Sequence, residues 1–251
     1  MKATRNQVVS AGMLAAVATC VHADRVKVEV HGTVEWNQVT TGVLAPVHAG
    51  QPVVLKFEVD SNVFVNSPQW PVRGYPIIQS SWNFQIGPVQ IPLTIPMPTG
   101  VTPYFSIRNN DPQVDGFVIT RVVDGDSEIP VNCGLTNYGM SFLRTFTSPN
   151  VWPSYDIMQC QGDYAFELMS SYNWTIQRGE FSTPVGMAYE TISVHAVCEA
   201  DFNGDNVLDF FDYLDFVDAF SMSLPSADFN QDLVVDFFDY LDFVDVYSTG
   251  C

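Results

Sequence analysis

Hydrophobic and polar residues alternate with period two through much of the first two hundred positions. Val53, Leu55, Phe57 and Val59 share one face of VVLKFEV, and Trp82, Phe84 and Ile86 share one face of SWNFQI. Tyr172, Trp174 and Ile176 do the same in YNWTIQ. Successive side chains of a strand leave opposite sides of the backbone, so this alternation is the mark of half-buried β-strands. Other runs rich in β-branched and aromatic residues lie at 26–36, 116–123, 140–146, 164–168 and 191–197. Pro and Gly punctuate the gaps, as in QIGPVQIPLTIPMPTG (85–100), and prolines inside a run point to edge strands. Short strands separated by turn signals predict a mainly β domain over 24–197, an antiparallel β-sandwich of jelly-roll-like type, with a barrel as the alternative. The pattern breaks near Val197-Cys198. Beyond it the chain reads loop, helix, linker (SMSLPS, 221–226), loop, helix, which predicts a small α-helical unit over 198–251.

That tail contains a repeat. ADFNGDNVLDFFDYLDFVD (200–218) returns as ADFNQDLVVDFFDYLDFVD (227–245), and DFFDYLDFVD is unchanged between the copies. Counting from the first aspartate, positions 1, 3, 5, 9 and 12 are Asp201, Asn203, Asp205, Asp209 and Asp212 in one copy. They are Asp228, Asn230, Asp232, Asp236 and Asp239 in the other. Side-chain oxygens at this spacing, with a backbone carbonyl at position 7 (Val207, Val234), match the calcium loop of an EF-hand. Calcium is a hard cation that takes six to eight oxygens, and its charge offsets the repulsion among clustered carboxylates. Two Ca²⁺ sites are therefore expected. Position 6 of such a loop turns sharply and favours Gly; here it is Asn206 in the first copy and Leu233 in the second. Leu in a left-handed conformation costs on the order of 1 kcal/mol or more, so the second site is expected to be the weaker. Position 12 is Asp in both copies, shorter than the usual Glu, which places the ion closer to the helix start.

A duplicated loop and exit helix without an entering helix, with Asp at position 12 and Leu208 or Val235 at position 8, resembles a type I dockerin. The terminal Gly250-Cys251 and the Phe-rich helices resemble the "GC-type" dockerin tails of exported bacterial proteins. The resemblance covers 199–251 and implies a paired F-hand module that folds on calcium and docks onto a cohesin-like scaffold or surface protein. The family's recognition pair at positions 10 and 11, usually small hydroxyl residues, falls here on Phe210-Phe211 and Phe237-Phe238, a departure that bears on the partner. On a helical wheel Tyr213, Phe216, Val217, Phe220, Phe210 and Leu214 form one apolar arc, expected to pack helix against helix. Phe211 and Phe238 sit at the acidic margin and are the expected partner contacts.

Charge and cysteine usage sharpen the picture. Residues 24–198 hold 15 acidic and 8 basic side chains, whereas 199–251 hold 13 acidic and no basic ones. Such a field disfavours nucleic acid and anionic membrane surfaces and suits multivalent cations. Lys2 and Arg5 precede a short apolar stretch ending in Val21-His22-Ala23, the pattern of a secretory signal peptide cleaved after residue 23. An uncleaved anchor and a lipid-bearing Cys20 are the lesser alternatives. A secreted or cell-surface location is expected, with no membrane span in the mature chain. Cys133, Cys160, Cys198 and Cys251 then remain, and four cysteines allow three pairings. The favoured set is Cys198–Cys251, closing the tail, and Cys133–Cys160. No HExxH, HxH or GxSxG occurs, and His31, His48 and His195 are scattered. The expectation is a non-enzymatic protein in which the tail tethers a β cargo domain. The alternatives are a polysaccharide-degrading enzyme or a carbohydrate-binding module, with polysaccharide as a second class of partner.

Overall fold

The computed structural model describes residues 25–110, 114–123, 125, 127–134, 138–148, 150–179, 182–205 and 207–250. Among the described residues, thirteen strands precede two α-helices. They are β1 (Arg25–Asn37), β2 (Pro52–Asp60), β3 (Val65–Asn66), β4 (Val72–Pro76), β5 (Asn83–Ile86), β6 (Val89–Gln90) and β7 (Tyr104–Arg108). Then come β8 (Gly116–Thr120), β9 (Ile129–Val131), β10 (Tyr138–Phe146), β11 (Gly162–Ala165), β12 (Met169–Arg178) and β13 (Val185–Ala196). The helices are α1 (Phe210–Ser221) and α2 (Phe237–Thr249). The signal peptide expected over 1–23 lies outside the described residues. No helix among those described is long and apolar enough to cross a membrane.

All the strand pairing is antiparallel and belongs to one sheet, in the order β3-β4-β7-β8-β10-β12-β13-β1-β2-β5-β6, with β11 beside β13 and β9 beside β10. Two separate sheets are therefore not what the hydrogen bonds draw. The sheet curls instead. Phe57 on β2 and Phe105 on β7 are six steps apart in the strand order, yet their ring centroids are 5.5 Å apart. Isolated bridges join Val59 to Ile77 and Leu93 to Val131, across the curl. Among the described residues, β12 and β13 share the ladder pairs Thr175–Gly186 and Ile176–Val185.

Alternation explains the long strands. Val26, Val28, Val30 and Val34 of β1 are buried, and so are Val53, Leu55, Phe57 and Val59 of β2. The intervening Lys27, Glu29 and His31 face outward, where Glu29 accepts from Lys56 Nζ at 2.8 Å and contacts His31 Nε2 at 2.6 Å. One residue interrupts the pattern: a Cβ on Gly32 would stand 2.0 Å from the Ala188 carbonyl oxygen and 2.8 Å from the Trp174 ring. Only glycine lets β1 pass Trp174 there, and the register with β13 shifts at that point. β10 is buried along nearly its whole length, having β8 and β9 on one side and β12 on the other.

The core of the β region is strongly aromatic. Phe117 stacks on Trp152 at 4.8 Å, and Phe146 meets Trp152 edge-on at 4.8 Å. Two buried charges sit at its margin. The Asp115 carboxylate accepts from the backbone N–H of Asn110, Val151 and Trp152, which pins two loops together. Arg144 lies over the Phe146 ring at 3.8 Å and donates to the Ala165 carbonyl, while its Nε and Nη1 have no hydrogen-bond partner among the described residues. Burial lowers its pKa, with Tyr189 and Tyr164 opposing the shift.

The expected Cys133–Cys160 bridge is not formed: both are buried free thiols. Cys160 Sγ donates to the Asp156 carbonyl at 3.2 Å, and Cys133 is buried within the apolar core. Burial pushes the Cys133 thiol up to about 12, and burial together with Asp156 and Asp115 raises Cys160 as well. Neither is a reactive thiolate at neutral pH. Cys251, the partner expected for Cys198, lies outside the described residues.

Candidate metal centre and docking face

The tail has its own small core, made of the buried Ala200, Phe216, Ala219, Ala227 and Phe243. Its packing follows the repeat. Phe216 stacks face to face on Phe243, its counterpart 27 residues later, with centroids 3.9 Å apart and planes at 3°. Tyr213 and its counterpart Tyr240 share a hydrogen bond of 3.1 Å between their hydroxyls. The contact of Phe220 with Tyr240 is mirrored by that of Tyr247 with Tyr213. Residue i meets residue i + 27, and every cross-contact has its mate, so the two halves are related by an internal pseudo-two-fold.

Each helix starts on an aspartate. Asp209 Oδ1 accepts from the Phe211 N–H at 2.7 Å, and Asp212 Oδ2 reaches back to the Asp209 N–H at 2.8 Å. Asp236 and Asp239 make the same reciprocal cap on α2. This is a capping box with Asp in place of the customary Glu. Because the side chain is one methylene shorter, the carboxylate is drawn in under the loop, and Asp212 and Asp239 are both fully buried.

From there they hold the loops. Asp212 Oδ1 accepts from the Asn203 N–H at 3.1 Å, and Asp239 Oδ1 accepts from Phe229 at 2.7 Å and Asn230 at 3.1 Å. Burial raises the pKa of Asp239, but the backbone donors together outweigh it and hold the carboxyl below its ordinary value. In the first loop Asp201 accepts from Gly204 and Asp205, Asn203 from Asp205, and Asp205 from Val207. In the second, Asp228 accepts from Asp232 and Leu233, Asn230 from Asp232, and Asp232 from Val234. In both copies the position-5 N–H donates to positions 1 and 3, position 5 takes the position-7 N–H, and the caps at positions 9 and 12 recur, whereas the further donors to positions 1 and 12 differ.

The donor set is that of a hard cation: carboxylate and amide oxygens, each with a further lone pair beyond its N–H contact. Yet no group of three or more His, Cys, Asp or Glu side chains gathers closely enough among the described residues to hold an ion. Like charges repel, and here each carboxylate turns to loop N–H donors rather than to its neighbours. The loops also differ at the turn. Leu233, at position 6, has φ 74 and is 91% exposed, and Gln231, at position 4, has φ 62, where the first copy has Gly204 at φ 75. Asn206, the first copy's position 6, lies outside the described residues.

The apolar arc expected to pack inward is only partly buried. Phe216 is buried, and Tyr213, Val217 and Phe220 pack against the core, but Phe210 is 62% and Leu214 42% exposed. Positions 10 and 14 are exposed in both copies. Phe210, Phe211 and Leu214, with Phe237, Phe238 and Leu241, form two equivalent exposed apolar sets. Phe211 and Phe238 are exposed; Phe210 and Phe237 are exposed beside them, where the helical wheel had put Phe210 in the inward arc.

In the β region, β1 and β13 pair in a register that sets Lys27 opposite His195 and His31 opposite Thr191, so the two histidines are not neighbours. His195 contacts Asp163 at 3.1 Å. Trp152 and Trp174 are core, Trp82 packs against it, and Trp36 and Trp70 are exposed. Comparison with family models, with curated proteins and with solved structures finds no match for this chain.

Proposed function

We propose that this is an exported protein whose C-terminal module is dockerin-like, binds two calcium ions and tethers the β domain to a cohesin-like scaffold or surface protein. The observation that carries the reading is the twin hydrogen-bonding role of the aspartates and asparagines at positions 1, 3, 5, 9 and 12. Asp201, Asn203, Asp205, Asp209 and Asp212 would hold one ion with the Val207 carbonyl. Asp228, Asn230, Asp232, Asp236 and Asp239 would hold the other with the Val234 carbonyl. The F-hand arrangement of the helices and the Cys198–Cys251 closure are parts of the same proposal.

The size of the tail supports it. With so few fully buried side chains, a module of this length falls where a hydrophobic core alone rarely holds a fold and a metal or disulfide commonly completes it. Calcium, binding only the folded form, adds stability as RT ln(1 + [L]/Kd). The exposed phenylalanines support a tether. Large apolar side chains clustered on a small, strongly acidic module mark a contact surface, and Asp215, Asp218, Asp242 and Asp245 on the same helices favour a partner with a basic rim.

Isothermal titration of the intact chain with calcium tests the metal; uptake of two ions is expected, the second more weakly. Circular dichroism under reducing conditions tests the coupling to folding. EDTA should abolish the helical signal of 199–251 and leave the β signal in place. An unchanged helical signal would refute calcium-driven folding. A pull-down from the producer's envelope and secretome with the tail as bait should recover a partner in calcium, lose it in EDTA, and lose it with Phe211→Ala/Phe238→Ala.

A further inference from the structure

Two cavities lie side by side along one end of the half-sheet β3-β4-β7-β8-β10-β12. The larger, about 630 Å³, is bordered by Arg121, Glu128, Asn132 and Gln177. The smaller, about 280 Å³, is bordered by Asn66, Tyr104 and Val122 and shares Arg121 with the first. Arg121 is therefore the ridge of a trough that crosses the strands. From β3 to β12 is five steps of the ladder, about 24 Å at the usual strand spacing of roughly 4.8 Å.

The larger cavity has a built floor. Gly139 pairs with Pro130 on one side and Gln177 on the other. A Cβ on Gly139 would stand 2.3 Å from Glu128 Cγ, so the missing side chain is what lets the Glu128 stem lie across the strand and deliver its carboxylate to the cavity wall. Arg121 and Glu128 carry opposite charges in one cavity, yet neither has an ion pair with any described residue. Gln177 donates to Thr175, which leaves its carbonyl oxygen as an acceptor.

We infer that the trough from Asn66 and Tyr104 past Arg121 to Glu128, Asn132 and Gln177 binds a neutral oligosaccharide. The chemistry selects that class. Amide, guanidinium and carboxylate groups supply both donors and acceptors, as a polyhydroxylated chain needs, and Pro98, Pro130 and Tyr104 offer flat apolar surfaces to the C–H faces of sugar rings. The strong negative charge of the whole chain disfavours acidic glycans. An extended peptide would look for a free strand edge to continue the ladder; the trough runs across the strands and offers none along most of its length. This inference is independent of the calcium tether, because it uses no residue of the tail.

Titration calorimetry of the full chain in calcium tests it, with cellohexaose, xylohexaose, mannohexaose and N-acetylchitohexaose as probes. At least one should bind, and its disaccharide should bind at least tenfold more weakly, because it spans only one cavity. Arg121→Ala, at an exposed position that leaves the core untouched, and Glu128→Gln should each weaken the hexasaccharide at least tenfold. Should Glu128→Gln fail to fold, Arg121→Ala decides alone. The inference is overturned if none of the four binds, if the disaccharide binds as well as the hexamer, if Arg121→Ala binds as tightly as the parent, or if a neutral hexapeptide binds in preference.

Discussion

Removing the Asp239 carboxylate tests how the tail is held. Asp239 is fully buried and accepts three backbone N–H groups, from Phe229 at 2.7 Å, Asn230 at 3.1 Å and Asp236 at 2.8 Å. Asp239→Ala leaves all three donors without that acceptor. An unmet buried donor costs about 1–3 kcal/mol. These bonds are part-buried, so water repays some of the loss and the lower end applies: about 3 kcal/mol in total. A module of this length has a total stability of about 3–8 kcal/mol at 0.05–0.15 per residue, so the variant should be marginal. Asp239→Asn keeps one acceptor oxygen but turns an amide N–H towards one of the donors, and should lose about half as much. The assay is urea unfolding of the intact chain in saturating calcium, followed by helical circular dichroism. A shift of less than about 0.5 kcal/mol for Asp239→Ala would refute the argument that this carboxylate organises the loop.

Leu233→Gly should stabilise the second loop. It relieves a left-handed leucine worth about 1–2 kcal/mol and returns about half in chain entropy, so calorimetry should show calcium binding there tightened by about two- to fivefold. Arg144→Met should be neutral or stabilising by about 1–4 kcal/mol in chemical denaturation of the β region, because it replaces a buried guanidinium with two unpartnered nitrogens by an apolar side chain of similar length. For pH, the Asp239 carboxyl titrates lower in the folded chain than in the unfolded one, whose value is about 3.9. Its contribution is therefore complete well above pH 4 and is lost as the pH falls through the folded value, so the helical signal should fade on acidification below about pH 4.

The long strands were legible because alternation survives in them. VVLKFEV lies within β2, YNWTIQ within β12, and TISVHA forms the end of β13. The short ones were not. β3, β6 and β9 are two or three residues long, and β4 carries Gly74 and Pro76, so no window holds enough positions to show a period. YAFEL splits between β11 and a single 3-10 turn, a division made by pairing with β13 rather than by local preference. In the tail the spacing of the aspartates was visible at once, but their hydrogen-bond partners were not. The exposure of Phe210 and Phe237 was hidden too, because a wheel shows which residues share a face and not how much of that face a neighbouring helix covers.

From its sequence alone this chain determines a β-rich body, a separate tail with a repeated acidic loop and helix, and the spacing of the acidic side chains along it, since each depends only on residue type and spacing. Tertiary structure decided that the strands form one curled sheet, that Cys133 and Cys160 stay apart as thiols, that each half of the tail packs on its own copy, and that Arg121 and Glu128 meet in one trough. Those outcomes turn on which distant segments come together. Contacts between residues far apart in the chain are chosen by shape and burial, which no local pattern encodes.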